Sequence, residues 1–387
     1  MSTPTQPSPT FAAGSVLDRL HAALGQVSGE RMAATVAALA GAAFTVPHVP
    51  EVYTPPTVSW SDGDTEQRLG FGREVAVHLA SADQPLIRRG GLVVAGAGDP
   101  AGRWLVVPAG MTLFDAYGHA HGALGLLIGR GVDADGWHYT MLAGPNPGPL
   151  PILTLDTTTH AAVLRAAEAG AGSLAGNTPI RRLDVPATNV HGRWRTDAGG
   201  PQLLLTAHYD GVGDHPGLRQ PAAADNGSGV AVILEAFRIL ADVLPDAIGL
   251  SVALLDGEEA GALGSAHHAA QLRAAGAAPL VINVDGAGHL NEAAAVEAGG
   301  PAHALLAALD QAGRHTGLPL VAGPVASDNR RYGAAGLAAV GIGAGMAGYH
   351  SPADTPDRVE TATLTAVARL VVATALLVTA DPATVSS

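Results

Sequence analysis

The chain of 387 residues contains no cysteine. Structural disulfides, thiolate metal sites and a cysteine nucleophile are therefore excluded, and a reducing setting such as the cytoplasm is expected. Charge is also scarce. Asp, Glu, Lys and Arg make up 14% of the residues, and 21 basic against 34 acidic side chains leave a formal net charge of −13. That balance argues against a nucleic-acid partner and against attraction to anionic membranes. Residues 1–10 hold no basic side chain, and Arg19, His21, Glu30 and Arg31 interrupt the next twenty or so positions, so no secretory signal is expected. The apolar stretch 364–377 carries Arg369 and reads as too short to cross a bilayer.

What the chain does have is small residues. Apolar types account for 47% with only 4% aromatic, alongside 50 Gly and 27 Pro, a globular rather than disordered composition. The length suggests about two or three domains and allows a large buried core. The 16 histidines are many for a chain this poor in charge. Histidine is the commonest metal ligand.

In chain order, residues 1–14 read as a disordered tail. Residues 16–24 carry apolar side chains at helical spacing, and Ser28 caps a second helix to about residue 40 with Glu30 in its first turn. A Pro-rich loop comes next. Short β-rich runs then appear at 75–79, 91–94, 104–107, 122–128 and 151–155, with helices at 114–120 and 159–169. This stretch, 61–185, reads as an inserted α+β module without a catalytic cluster. From residue 188 the pattern becomes regular. Strands at 203–206, 248–255, 280–284 and 337–342 alternate with helices, the first beginning near Gly229 and the last spanning 359–377. Alternation of this kind implies an α/β domain, built from 15–60 and 186–387, with a mostly parallel sheet covered on both faces.

Each of these strands leads into a potential metal ligand. His208 and Asp210 come after the first, Glu258 and Glu259 after the second, Asp285 after the third, and His350 lies in the loop after the fourth. Asp225 stands in a Gly-rich loop before a helix. In a parallel sheet these ends lie along one edge, where ligands bind. Two histidines and several carboxylates without a thiolate suit Zn2+, with Co2+ or Mn2+ as alternatives. They are too many for one tetrahedral ion, and a shared carboxylate could bridge two.

The ordered set His208-x-Asp210, Ala224-Asp225-Asn226-Gly227-Ser228-Gly229, Asp256-Gly257-Glu258-Glu259-Ala260-Gly261, Asp285 and Tyr349-His350-Ser351-Pro352-x-Asp354-Thr355 resembles the M28 family of di-zinc exopeptidases. The inserted stretch, with Trp104-Leu105-Val106-Val107-Pro108 and Ala120-x-Gly122-Ala123-Leu124-Gly125, resembles a protease-associated (PA) domain. The first resemblance implies a peptide substrate and two Zn2+ per chain. Asp225 would bridge them, with His208 and Asp285 on one ion and Glu259 and His350 on the other. It further implies Glu258 as general base, Asp210 orienting His208 through its second ring nitrogen, and Tyr349 polarising the scissile carbonyl.

Three stretches depart from the family pattern. Ala224 replaces an aspartate before Asp225. Gly286-Ala287-Gly288 is smaller than usual, which implies a wider pocket. Ser327-Asp328-Asn329 stands where Ser-Asp-His is common, beside Arg330 and Arg331, which read first as exposed helix charges and in the alternative as carboxylate anchors. The expected activity is an aminopeptidase, with a carboxypeptidase or dipeptidase as the nearest alternative. A non-catalytic peptide-binding protein on the same fold is the competitor from another class. A serine hydrolase through Ser228 fails, because Gly227-Ser228-Gly229 lacks the nucleophile-elbow spacing.

Overall fold

The computed structural model describes residues 16–41, 51–140, 147–183, 186–195 and 199–380. The expected tail, 1–14, lies outside them.

A seven-stranded sheet organises the larger domain. Its strand order is Val190–Trp194, Gly249–Leu255, Gln202–His208, Leu280–Val284, Ala339–Gly343, Ala294–Gly299 and Leu320–Ala322. The second to fifth of these are mutually parallel. They are the four apolar runs visible in the sequence, because a strand covered on both faces must be apolar on both. The flanks reverse direction: Val190–Trp194 and Ala294–Gly299 run antiparallel to their inner neighbours. Neither flank carries a run of large apolar residues, Val190–Trp194 being broken by His191 and Arg193 and Ala294–Gly299 being half alanine, and periodicity alone does not reveal them.

Helices cover both faces unequally. One face carries Ser228–Val243, His303–Thr316 and Thr361–Ala380, with the N-terminal helices Val16–Leu24 and Gly29–Gly41 packed over them through Leu20, Met32 and Val36. Buried Glu235 fixes this outer pair: it accepts from Ser28 N–H at 3.0 Å and pairs with Arg31 and Arg238. The other face carries Leu263–Ala274 and the short helix Asn329–Ala334. The last helix is longer than the 364–377 stretch suggests. At 20 residues it could span a bilayer by length, but 67% of its most apolar window is buried among its neighbours, as in a core helix.

The inserted module is a second, eight-stranded sheet. Its middle strands Gln84–Val94, Trp104–Val106, Gly125–Gly129 and Ile152–Leu155 are parallel. Thr157–Glu168 packs through Val163, Ala166 and Ala167 on a core that includes Trp104 and Leu127. Strand Val58–Ser61 belongs to this sheet, so the module begins ahead of the expected boundary at 61. The antiparallel pair Glu51–Val52 and Ile180–Arg181 closes it where the chain enters and leaves.

Candidate metal centre

The C-terminal ends of the four parallel strands carry the ligand candidates. His208 is the last residue of its strand, and Asp285 directly succeeds Leu280–Val284. After Gly249–Leu255 the chain turns at Gly257, whose φ of +69° favours glycine, and brings the glutamate pair back to the edge. Asp225 sits before helix Ser228–Val243, joined to Asn226 by a cis peptide. Asn226 ties this loop to the Asp285 strand. Its amide donates to the Val284 carbonyl at 2.9 Å, and its oxygen accepts from Gly229 N–H at 3.0 Å and Gly286 N–H at 3.1 Å. A Cβ on Gly229 would lie 2.6 Å from the Val284 carbonyl, so this approach of helix to strand needs glycine.

Asp225 divides its carboxylate between two clusters. Oδ1 lies 3.3 Å from His208 Nε2, which is itself 3.4 Å from Asp285 Oδ1. Oδ2 lies 2.9 Å from His350 Nε2, which is 3.0 Å from Glu259 Oε2. His208, Glu258 and Asp285 can present ligand atoms within 4.8 Å of one another, and so can His208, Asp225 and Glu259. His208 Nε2, His350 Nε2, Glu259 Oε1 and Asp285 Oδ1 are buried yet make no hydrogen bond. Buried polar atoms left in this condition are costly. An imidazole and carboxylate donor set aimed at a shared space fits a cation such as Zn2+.

Electrostatics points the same way. Burial opposes the imidazolium of His208, but Asp285, Asp210 and Asp225 outweigh it and raise the ring well above its ordinary value. His350 is raised likewise, Glu259 and Asp225 prevailing over burial. Burial favours the neutral form of Asp225 as well, yet His208 and His350 hold it well below the usual carboxylate range. Glu258 is held well above that range by burial, to which Asp285, Asp328 and Glu259 add. Burial and then Asp225 push Glu259 up to about 7. Buried Asp328 is pushed up to about 7 by desolvation, with Asp210 and Asp285 adding to it. The cluster holds more negative charge than its two histidines neutralise, a condition that a bound cation relieves.

The eight residues singled out in the sequence converge, with changes of detail. Asp210 meets His208 mainly through its backbone: Nδ1 lies 3.0 Å from the Asp210 carbonyl and 3.4 Å from its carboxylate. A carbonyl only accepts, so Nδ1 carries the proton and Nε2 is free to ligate. The Asp210 carboxylate instead accepts from the N–H groups of Glu258 and Glu259, each at 3.1 Å, and holds the glutamate turn in place. Tyr349 is 44% exposed, its ring stacked on His350 at 3.8 Å.

Other residues singled out in the sequence have partners of their own. Gly286 does not widen the pocket, because a Cβ there would lie 2.5 Å from the Met346 side chain, which takes up that space, and a Cβ on Gly288 would lie 2.6 Å from Ala224. Ser228 is buried, donating to the Ala224 carbonyl and accepting from Ala287 N–H, each at 2.7 Å; this is a structural role. Arg330 is paired with Glu297 at 2.8 Å, and Arg331 donates to the Gly261 carbonyl at 2.6 Å, so both candidate carboxylate anchors are engaged.

One residue has no role assigned by the sequence although it stands in the motif around His350. Asp354 is 2% exposed. Its carboxylate accepts from Ala224 N–H at 2.6 Å and Asp225 N–H at 3.0 Å, so the loop bearing His350 holds the backbone of Asp225. The acidic residue missing at position 224 is thus not needed to keep the loop in place.

A mostly parallel sheet, covered on both faces and carrying buried histidines and carboxylates at its strand ends, defines an α/β protein with a candidate two-centre metal site. Residues 189–375 match the model of peptidase family M28, and the domain they form belongs to that family. No curated protein is significantly similar to the chain. Solved structures share the fold over nearly the whole length. The aminopeptidase from Aneurinibacillus sp. strain AM-1 is 18% identical with a TM-score of 0.66, covering 92% of this chain and 95% of that one. BSAP, a zinc aminopeptidase from Bacillus subtilis, is 18% identical with a TM-score of 0.61, covering 93% and 92%. A peptidase M28 precursor from Shewanella amazonensis is 17% identical with a TM-score of 0.59, covering 95% and 93%.

Proposed function

We propose that the chain is a zinc-dependent aminopeptidase with a two-ion centre. The observation that carries this reading is the division of Asp225, Oδ1 toward His208 and Asp285, Oδ2 toward His350 and Glu259. His208, Asp225 and Asp285 would hold one ion, and Asp225, Glu259 and His350 the other. When bound, such ions supply Lewis acidity and bring the pKa of a coordinated water to about 7. Glu258 takes the proton from the attacking water and returns it to the leaving amine. Tyr349, at the rim, donates its hydroxyl proton to the developing oxyanion. Asp210 keeps the glutamate turn and the His208 tautomer in register for both events.

The choice of amino- over carboxypeptidase is supported by Arg330, whose guanidinium is paired with Glu297 and so is not a dedicated anchor for a C-terminal carboxylate. Retention of the full ligand set together with Glu258 supports catalysis over mere peptide binding. The resemblance of the inserted stretch to a PA domain supports reading it as a module of that class. The test combines metal analysis with hydrolysis of one peptide in free and N-acetylated forms. About two zinc ions per chain and cleavage of the free form alone are expected. Release of the C-terminal residue, with the blocked peptide cleaved equally well, would overturn the aminopeptidase assignment.

A further inference from the structure

The inserted module meets the loops around the candidate metal centre at Phe71, whose ring lies edge-on to His215, and through the segment 133–140, which makes the contacts to the His350 loop. Thr140 N–H donates to the His350 carbonyl at 2.8 Å. The Thr140 hydroxyl accepts from Gln220 Nε2 at 2.9 Å. Gln220 is buried in the stretch between His208 and Asp225, and its own N–H donates to Asp214 at 2.8 Å. A single module residue thus bridges the two loops that carry Asp225 and His350. On the far side of His350, Arg358 makes a two-pronged pair with Asp135, at 2.5 and 2.7 Å.

The segment making these contacts is itself held from within the module. Asp133 accepts from the N–H groups of Asp135 and Trp137 at 2.9 and 2.8 Å. Arg73 donates to the Asp135 carbonyl at 3.1 Å, and its guanidinium lies 3.8 Å over the Trp137 ring. It therefore acts as a braced arm. The loop it holds has need of bracing: His350 adopts φ +53°, a conformation that a side chain of this size rarely takes unless its surroundings impose it.

We infer that the inserted module is a working part of the metal centre, with Thr140 and Asp135 as positioning residues for His350. This rests on the two-ion reading above. The module sets the orientation of the His350 ligand, and through it the affinity of the Glu259–His350 half-site. The other half-site shares Asp225 but takes its remaining ligands from His208 and Asp285, with which the arm makes no hydrogen bond or ion pair among the described residues.

The test uses the full chain and zinc alone, with affinities for each binding step measured by chelator competition. His350→Ala identifies the step that belongs to its half-site. Asp135→Arg and Arg358→Asp each break the pair, and the double variant restores it with reversed charges. Thr140→Ala removes the bridge to Gln220 and keeps the backbone contact. The expected result is that the His350 step weakens about tenfold in either single charge variant, the lower end for outer contacts of metal ligands. The other step should hold, and the swap should recover the lost affinity. Thr140→Ala is expected to weaken the same step by a smaller factor. Unfolding of each variant in chelator separates loss of the site from loss of the fold. Two unaltered steps in all variants, equal weakening of both steps, or no recovery in the swap would each overturn the inference. A wild-type chain that binds no zinc would instead bring down the two-ion reading itself.

Discussion

Asp354→Ala offers the sharpest test of how the site is held together. The carboxylate is buried and accepts two consecutive backbone N–H groups, from Ala224 at 2.6 Å and Asp225 at 3.0 Å. Alanine leaves both donors buried without an acceptor. Each such loss costs about 1–3 kcal/mol, so the pair costs about 2–6 kcal/mol. Asp354→Asn keeps one acceptor oxygen but turns an amide N–H2 toward the second N–H, and should recover only part of that. The assay must report on the right domain. Trp60, Trp104 and Trp137 lie in the inserted module and only Trp194 in the larger domain, so tryptophan fluorescence tracks mainly the wrong one. Urea-dependent hydrogen exchange of peptides covering 223–243, in the presence of chelator, reads the affected region directly. An Asp354→Ala cost below about 1 kcal/mol would refute the reasoning, since two unsatisfied buried donors exceed that.

Three further outcomes are expected. Glu258→Gln should lower kcat by about 10²–10⁴-fold, the usual worth of a general acid–base group, with metal content unchanged; loss of metal would make Glu258 a ligand instead. Tyr349→Phe should lower kcat by about 10²-fold with little change in KM, in line with removal of one oxyanion donor, and an unchanged kcat would remove Tyr349 from the chemistry. Burial would raise Glu235, but Arg31, Arg238 and Ser28 N–H bring it down from 4.5 to about 2. A depressed folded-state pKa stabilises the protein above the unfolded value and loses that contribution as pH falls through the folded one. Glu235→Gln should therefore be less stable than wild type at pH 7, with the gap closing between pH 4.5 and about 2. A gap independent of pH, measured by thermal unfolding in that range, would sink this assignment.

Much of the molecule is legible along the chain. The four buried parallel strands announce themselves as apolar runs, because both their faces must be covered, and the residues that end them are the ones that converge. The order of motifs from His208 to His350 is enough to point to the peptidase family. Local pattern carries this information because burial and strand ends are properties of neighbouring residues.

What the tertiary structure alone decided depends on residues distant in sequence. The antiparallel flanks Val190–Trp194 and Ala294–Gly299 exist through pairing with the central strands, and their own side chains form no run of large apolar residues. The space expected beside Gly286 is filled by Met346, brought from another loop. Asp210 reads in the sequence as a partner of the His208 ring, which it is; only the fold shows that its carboxylate also holds the backbone of Glu258 and Glu259. Asp354 supports Asp225 across a separation of 129 residues, and Asp135 meets Arg358 across 223. Contacts of this kind are set by how the loops pack at one sheet edge. The sequence by itself marked the histidines and carboxylates that end the strands and meet at one edge; folding decided which others hold them in place, because backbone N–H groups and carbonyls, which every residue carries alike, do most of the holding.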